Sequence, residues 1–187
     1  MLKSNLTGRL QFIREAEKLK DTLRSSYTSS GRKESTAEHS WRLCLLAMTF
    51  EDQLENLDFA KILKLCVIHD LGEALHGDIP AIENIDLIIK KHREHNDLLQ
   101  LMASLDEKSR KNFLQLWEEY EEGSSMEAQV VKGFDKIETL LQHNQGANPE
   151  NFDYNFNLTY GKETTSILPL FVKIRKEIDE ETRKKIK

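Results

Sequence analysis

The stretch Cys66-Val67-Ile68-His69-Asp70-Leu71-Gly72-Glu73-Ala74-Leu75-His76-Gly77-Asp78-Ile79-Pro80 decides how the chain is read. Apolar residues lead into an imidazole beside a carboxylate, and glycine and proline follow within ten residues. That is the end of a buried helix running into a shaped turn. Backwards from it, Asp58 is a candidate helix cap, with Phe59, Ile62, Leu65, Cys66 and His69 on one face. Forwards, Gly72 to Pro80 reads as a turn-rich segment, followed by an amphipathic helix from about Ile82 to Met102.

The same periodicity extends outward. A first helix is expected over about residues 5–22, with Leu6, Leu10, Ile13, Ala16 and Leu19 or Lys20 along one face, followed by a polar loop from Ser25 to Ser35. Ser35-Thr36-Ala37-Glu38 has the form of a capping box, which places His39 in the first turns of a second helix with Leu43, Leu46, Ala47 and Phe50 on its face. Asp106 caps a further helix carrying Phe113, Leu116, Trp117 and Tyr120, which stops near Gly123. Ser124-Ser125-Met126-Glu127 reads as a second capping box. It opens a helix with Val130, Val131, Phe134, Ile137 and Leu141, and Asp135 lies at the edge of that stripe. Asn144 to Asn157 reads as a surface loop, and a last helix starts at about Thr164. No run reads as a strand, so the expected fold class is all-α, a single-domain helical bundle.

Composition narrows the partners. The 187 residues suit one compact domain, 39% hydrophobic and 32% charged. A formal net charge of -5 gives no basic footprint for nucleic acid, so a small-molecule partner is expected instead. No apolar run reaches the ~18 residues that a membrane span needs. The amino terminus lacks the apolar core of a signal peptide, and Cys44 and Cys66 read as reduced, buried thiols. Cytoplasmic residence is the expectation.

A His-Asp pair at a helix end is by itself an ordinary capping arrangement. His39 and Asp135 change its meaning, because an imidazole and a carboxylate set in apolar helical faces are costly to bury without partners. One shared divalent cation, held by His39, His69, Asp70 and Asp135, resolves all of these burials at once and leaves coordination positions open. Two imidazoles and two carboxylates accept manganese, cobalt, iron, nickel or zinc. Glu73 and Asp78 stand close enough in sequence to orient water or to bind a substrate hydroxyl.

Ala37-Glu38-His39-Ser40, His69-Asp70-Leu71-Gly72-Glu73, Gly77-Asp78-Ile79-Pro80 and Phe134-Asp135-Lys136-Ile137-Glu138 together resemble the H…HD…D signature of HD-domain phosphohydrolases. Within that superfamily the chain is most similar to the small 5'-deoxynucleotidases. The signature runs over about residues 10–143 of a single HD domain spanning 1–187, with 144–187 as a C-terminal loop and helix. The resemblance implies metal ligation by His39, His69, Asp70 and Asp135. It further implies catalytic and substrate-contacting roles for Glu73 and Asp78, a phosphate contact by Arg24, and a homodimer. It departs at Ser25, where the 5'-deoxynucleotidases often carry an aromatic residue, so deoxyribose preference does not follow from that position. Glu73 also stands where the cyclic dinucleotide phosphodiesterases carry lysine, and the Glu-Asp doublet of guanosine tetraphosphate hydrolases is missing. A non-catalytic nucleotide sensor and an enzyme acting on another phosphate ester stay as alternatives.

Overall fold

The computed structural model describes residues 3–79 and 86–186. Among these, the helices are α1 (Lys3–Ala16), α2 (Thr36–Thr49), α3 (Phe59–Ile68), α4 (Leu87–Leu101), α5 (Glu107–Glu122), α6 (Met126–Gln145), α7 (Tyr154–Asn157) and α8 (Pro169–Arg183). The helical class expected from periodicity is therefore correct. The expected start of the fourth helix, near Ile82, and Pro80 lie outside the described residues.

Local signals fix most boundaries. Ser35 accepts from the Glu38 amide while the Glu38 carboxylate accepts from the Ser35 amide, a complete capping box at α2. Asp58 and Asp106 cap α3 and α5 through their carboxylates. The second capping box is a correction. Ser125, not Ser124, caps α6, and Glu127 accepts instead from the Asp58 amide and pairs with Lys61, tying α6 to the start of α3.

Two further expectations are corrected. The first helix stops at Ala16 and tightens into a 3-10 turn, Glu17–Lys20. Its Leu6, Leu10 and Ile13 face solvent, while Phe12 and Leu19 enter the core. The expected loop from Ser25 to Ser35 overlaps an antiparallel hairpin, β1 (Leu23–Tyr27) paired with β2 (Lys33–Ser35). Its residues are short and polar, so neither strand carries the apolar alternation by which strands are read from sequence. The hairpin leans on α6, where Gln142 donates to the Tyr27 carbonyl at 2.6 Å.

The core has two parts. One gathers Leu43, Ile62, Leu65, Phe134, Leu140 and Phe171 from α2, α3, α6 and α8. The other gathers Phe12, Ile68, Leu71, Leu98, Met102 and Trp117 around α1, α4 and α5. Leu65 and Cys66 belong to the first part, Ile68 and Leu71 to the second. His69 and Asp70 thus sit at the seam, where the chain passes from one apolar cluster to the other. Gly72 allows this passage: a Cβ there would meet the Glu94 carbonyl oxygen of α4 at 2.6 Å. Only a residue without a side chain lets α4 press this closely on the turn after Asp70.

Candidate functional site

Helix α2 supplies His39 from its first turn, the end of α3 supplies His69 and Asp70, and the middle of α6 supplies Asp135. Each arrives at one place because its helix buries the adjoining stripe. The Nε2 atoms of His39 and His69 are 3.3 Å apart. His69 Nε2 is 3.1 Å from Asp70 Oδ2, and His39 Nε2 is 3.1 Å from Asp135 Oδ1. Donor atoms of His39, His69 and Asp70 all lie within 4.8 Å of one another. Asp135 joins them through His39, and its second oxygen is engaged by Lys136 at 2.8 Å and by the Tyr120 hydroxyl at 3.2 Å.

The far sides of both imidazoles are fixed. His69 Nδ1 donates to the Cys66 carbonyl at 2.9 Å, and His39 Nδ1 meets Glu138 Oε2 at 2.5 Å. Each contact leaves Nε2 as the free donor atom facing the cluster, the arrangement by which metal-binding histidines are oriented.

The electrostatics ask for a positive charge. Burial and Arg24 oppose protonation of His39, yet Glu138 and Asp135 hold its imidazolium up to about 9. Burial also works against ionised Asp70 and Asp135. Their neighbours, His69 and Arg24 for the first and Lys136 and His39 for the second, nevertheless keep both well below the usual carboxylate range. A cluster that must draw a proton onto a buried histidine to balance its carboxylates is one that a divalent cation suits. The donor set and the charge both fit such an ion.

Glu73 is buried, accepts from the Thr36 hydroxyl at 3.2 Å, and is pushed up to about 10 by burial and by its neighbours Asp70 and Asp78. Arg24, on β1, donates to Asp70 Oδ2 at 3.1 Å and to the Thr139 hydroxyl at 3.3 Å. Behind it lies the buried pair Glu34 and Glu138, and burial beside Glu138 raises Glu34 to about 7.

Arg24, Asp70, Glu73, Asp78 and Asp135 all line one cavity of about 380 Å³, within the range of small-ligand sites. Thus the structure brings together every residue singled out from sequence. It adds others that sequence reading left without a role. Lys136 and Thr139 share the cavity-facing side of α6 with Asp135, one and four residues on, a spacing that could have marked Thr139. Lys90, held protonated against burial by Glu94 and Glu73, lies in a run of charges that offered no signal. Phe152, Phe156 and Tyr160 also line the cavity, so the stretch read as a surface loop to Asn157 is part of the site wall. Their spacing of four was the available sign.

The chain is similar to known proteins. Residues 16–175 match the family model for the HD domain. The chain is 38% identical over 135 residues to the human 5'-deoxynucleotidase HDDC2, covering 71% of this chain and 65% of that one, slightly under two thirds of the relative's length. It is 30% identical over 168 residues to the 5'-deoxynucleotidase YBR242W of Saccharomyces cerevisiae, covering 84% of this chain and 70% of the relative. Among solved structures, a predicted metal-dependent phosphohydrolase of Magnetospirillum magnetotacticum superposes with a TM-score of 0.81 at 25% identity, covering 97% of this chain and 94% of that one. PH0347 of Pyrococcus horikoshii gives 0.69 at 25%, covering 93% and 98%. With two histidines and two aspartates converging from three helices in the order of the signature, and a family match over most of its length, the chain belongs to the HD-domain family.

Proposed function

We propose that this protein is a metal-dependent phosphomonoesterase that hydrolyses deoxynucleoside 5'-monophosphates to nucleoside and phosphate. The observation that carries the reading is one cavity lined both by Asp70 and Asp135, the carboxylates that adjoin the buried His39 and His69, and by three cationic side chains, Arg24, Lys90 and Lys136. Carboxylates alone would repel a phosphate dianion; a cation among them and three positive groups beside them reverse the sign. The 5'-deoxynucleotidase relatives supply the substrate class.

His39, His69, Asp70 and Asp135 would hold one divalent cation of the first transition row, manganese, cobalt, iron, nickel or zinc, with cellular availability deciding among them. When bound it supplies Lewis acidity, polarising a phosphoryl oxygen and making water a better nucleophile at neutral pH. Arg24 takes the phosphate through its forked donors, already ordered by Asp70 and Thr139. Glu73 holds or takes a proton at its carboxyl oxygens, poised by the Thr36 hydroxyl. Asp78, on the same cavity wall, contacts the sugar or supports the attacking water. Ser25 also lines the cavity where a bulky ring would narrow it, which favours a second reading in which ribonucleotides are accepted as well.

In this reading the chain acts as a single HD domain in the cytoplasm, as a homodimer. No helix among the described residues is long and apolar enough to cross a membrane. The exposed apolar side chains Trp41, Leu45 and Met48, at helical spacing on α2, are compatible with a subunit contact.

Inorganic phosphate release from ribo- and deoxyribonucleoside monophosphates, by chelated protein resupplied with manganese, cobalt, zinc or magnesium in turn, tests the proposal. Metal-dependent release from the deoxy series is the expected result. Release from both series keeps the enzyme class and assigns the lost sugar selectivity to Ser25. Silence throughout refutes the activity and leaves a nucleotide sensor or another phosphate ester.

A further inference from the structure

We propose that the segment after α6 builds a nucleobase-stacking wall, formed by Phe152 and Phe156, that holds the base by its face. The inference rests on the phosphomonoesterase reading and deepens it by saying what recognises the rest of the substrate. Neither ring is fully buried, and both line the cavity that holds Arg24, Asp70 and Glu73.

The wall is braced. The Phe152 ring meets His143 edge-on, with centroids 5.0 Å apart, and meets Tyr154 in the same manner at 4.8 Å. Phe156 stacks on Tyr160 at 5.0 Å. Beneath the rings, the buried Arg175 donates to the carbonyls of Asn157 and Tyr160, each at 2.6 Å, and Asn148 donates to the His143 carbonyl at 2.6 Å. His143 donates from Nδ1 to Asn157 Oδ1 at 2.8 Å, and burial keeps its ring neutral. Half-buried aromatic rings held this firmly at the edge of a cavity lose little freedom when a flat ligand covers them.

The cavity is therefore divided in chemistry. Cationic and metal-binding groups suit a phosphate, and aromatic faces suit a planar, weakly polar ring. A nucleoside monophosphate carries both in one molecule, whereas a sugar phosphate carries only the first. Ring faces accept any base, because each base presents a π-surface, and stacking strength ranks them. The expected order is purines over pyrimidines, through KM rather than kcat, since a contact remote from the phosphorus is felt equally in ground and transition states.

The test compares dAMP, dCMP and 2-deoxyribose 5-phosphate with the metal-loaded wild type and with Phe152→Leu and Phe156→Leu. Leucine keeps apolar bulk and removes the π-face. Stacking on an aromatic ring is worth ~1–3 kcal/mol, so the dAMP KM should rise roughly 5- to 100-fold. The ratio of kcat/KM for dAMP over 2-deoxyribose 5-phosphate should fall by the same factor. Equal effects on both esters, or no effect on either, overturn the wall as a base site while leaving phosphomonoester hydrolysis intact. If no ester is hydrolysed, calorimetric binding of dAMP still decides the inference, with weakening in the leucine variants supporting it and unchanged affinity refuting it.

Discussion

Glu138 Oε2 lies 2.5 Å from His39 Nδ1, so a buried carboxylate on α6 sets the direction in which an imidazole on α2 presents its other nitrogen. The two residues stand 99 positions apart, and α2 and α6 pack directly on one another. If His39 ligates the cation, Glu138 is its orienting partner. Replacement by the isosteric amide should weaken metal affinity by about 10- to 100-fold. In a metal titration, Glu138→Gln should therefore need more manganese or cobalt for half-maximal activity and approach the wild-type rate at saturation. Unchanged metal affinity would separate Glu138 from the site.

His69→Ala and Asp70→Ala remove donor atoms outright. Both should abolish stoichiometric metal binding and phosphate release while the helical circular-dichroism spectrum is kept, because the two apolar clusters on either side of the pair are untouched. Full activity in either variant would sink the assignment of the ligands.

Arg24 bridges Asp70 and Thr139 with two different nitrogens. Lysine carries the charge but has one nitrogen, so Arg24→Lys cannot keep the fork. Loss of a hydrogen bond to a charged group costs about 1.5–3 kcal/mol, so kcat/KM should drop by roughly ten- to a hundredfold in steady-state assays. A variant indistinguishable from wild type would remove Arg24 from phosphate binding.

Glu94, on α4 against the Gly72 turn, gives a prediction about pH. Burial outweighs the attraction of Lys90, 3.4 Å away, and pushes its carboxyl up to about 7 from 4.5. The folded chain thus holds a proton there that the unfolded chain releases. The stability this contributes is complete below about pH 4.5 and is lost as the pH rises through about 7. Glu94→Gln removes that loss. Its melting temperature should exceed that of wild type above pH 7, by roughly 2–4 °C for each 1 kcal/mol gained, with the advantage vanishing in acid. An advantage independent of pH would show that the carboxyl does not titrate in this range.

How much of this could be read from the chain differs by residue. His39, His69 and Asp135 were legible as candidates because each adjoins an apolar helical stripe, where a polar group needs a reason, and Asp70 was legible only as the neighbour of His69 at the end of α3. Glu38 and Asp58 were legible because capping is a matter of three neighbouring residues. Ser124 was misjudged for the complementary reason. Glu127 found a better partner in Lys61 of another helix, and local patterns carry no information about that. The hairpin Leu23–Tyr27 and Lys33–Ser35 escaped because its strands are held by contacts with α6 rather than by their own apolar alternation. Lys90 and the Phe152 wall acquire their roles only when distant segments close around the cavity.

Gly133 lies two residues before Asp135, and a Cβ there would sit 2.3 Å from Cε2 of Phe171. The ring of α8 thus occupies the place of the missing side chain and keys the last long helix into the one that carries the aspartate. The candidate donor cluster is consequently not self-sufficient within the signature that announces it. A chain cut after residue 168 would retain all four donor residues, yet leave a ring-sized notch open beside the backbone that aims one of them. In this protein the far C-terminal helix acts as the wedge that keeps an early-written motif in tune.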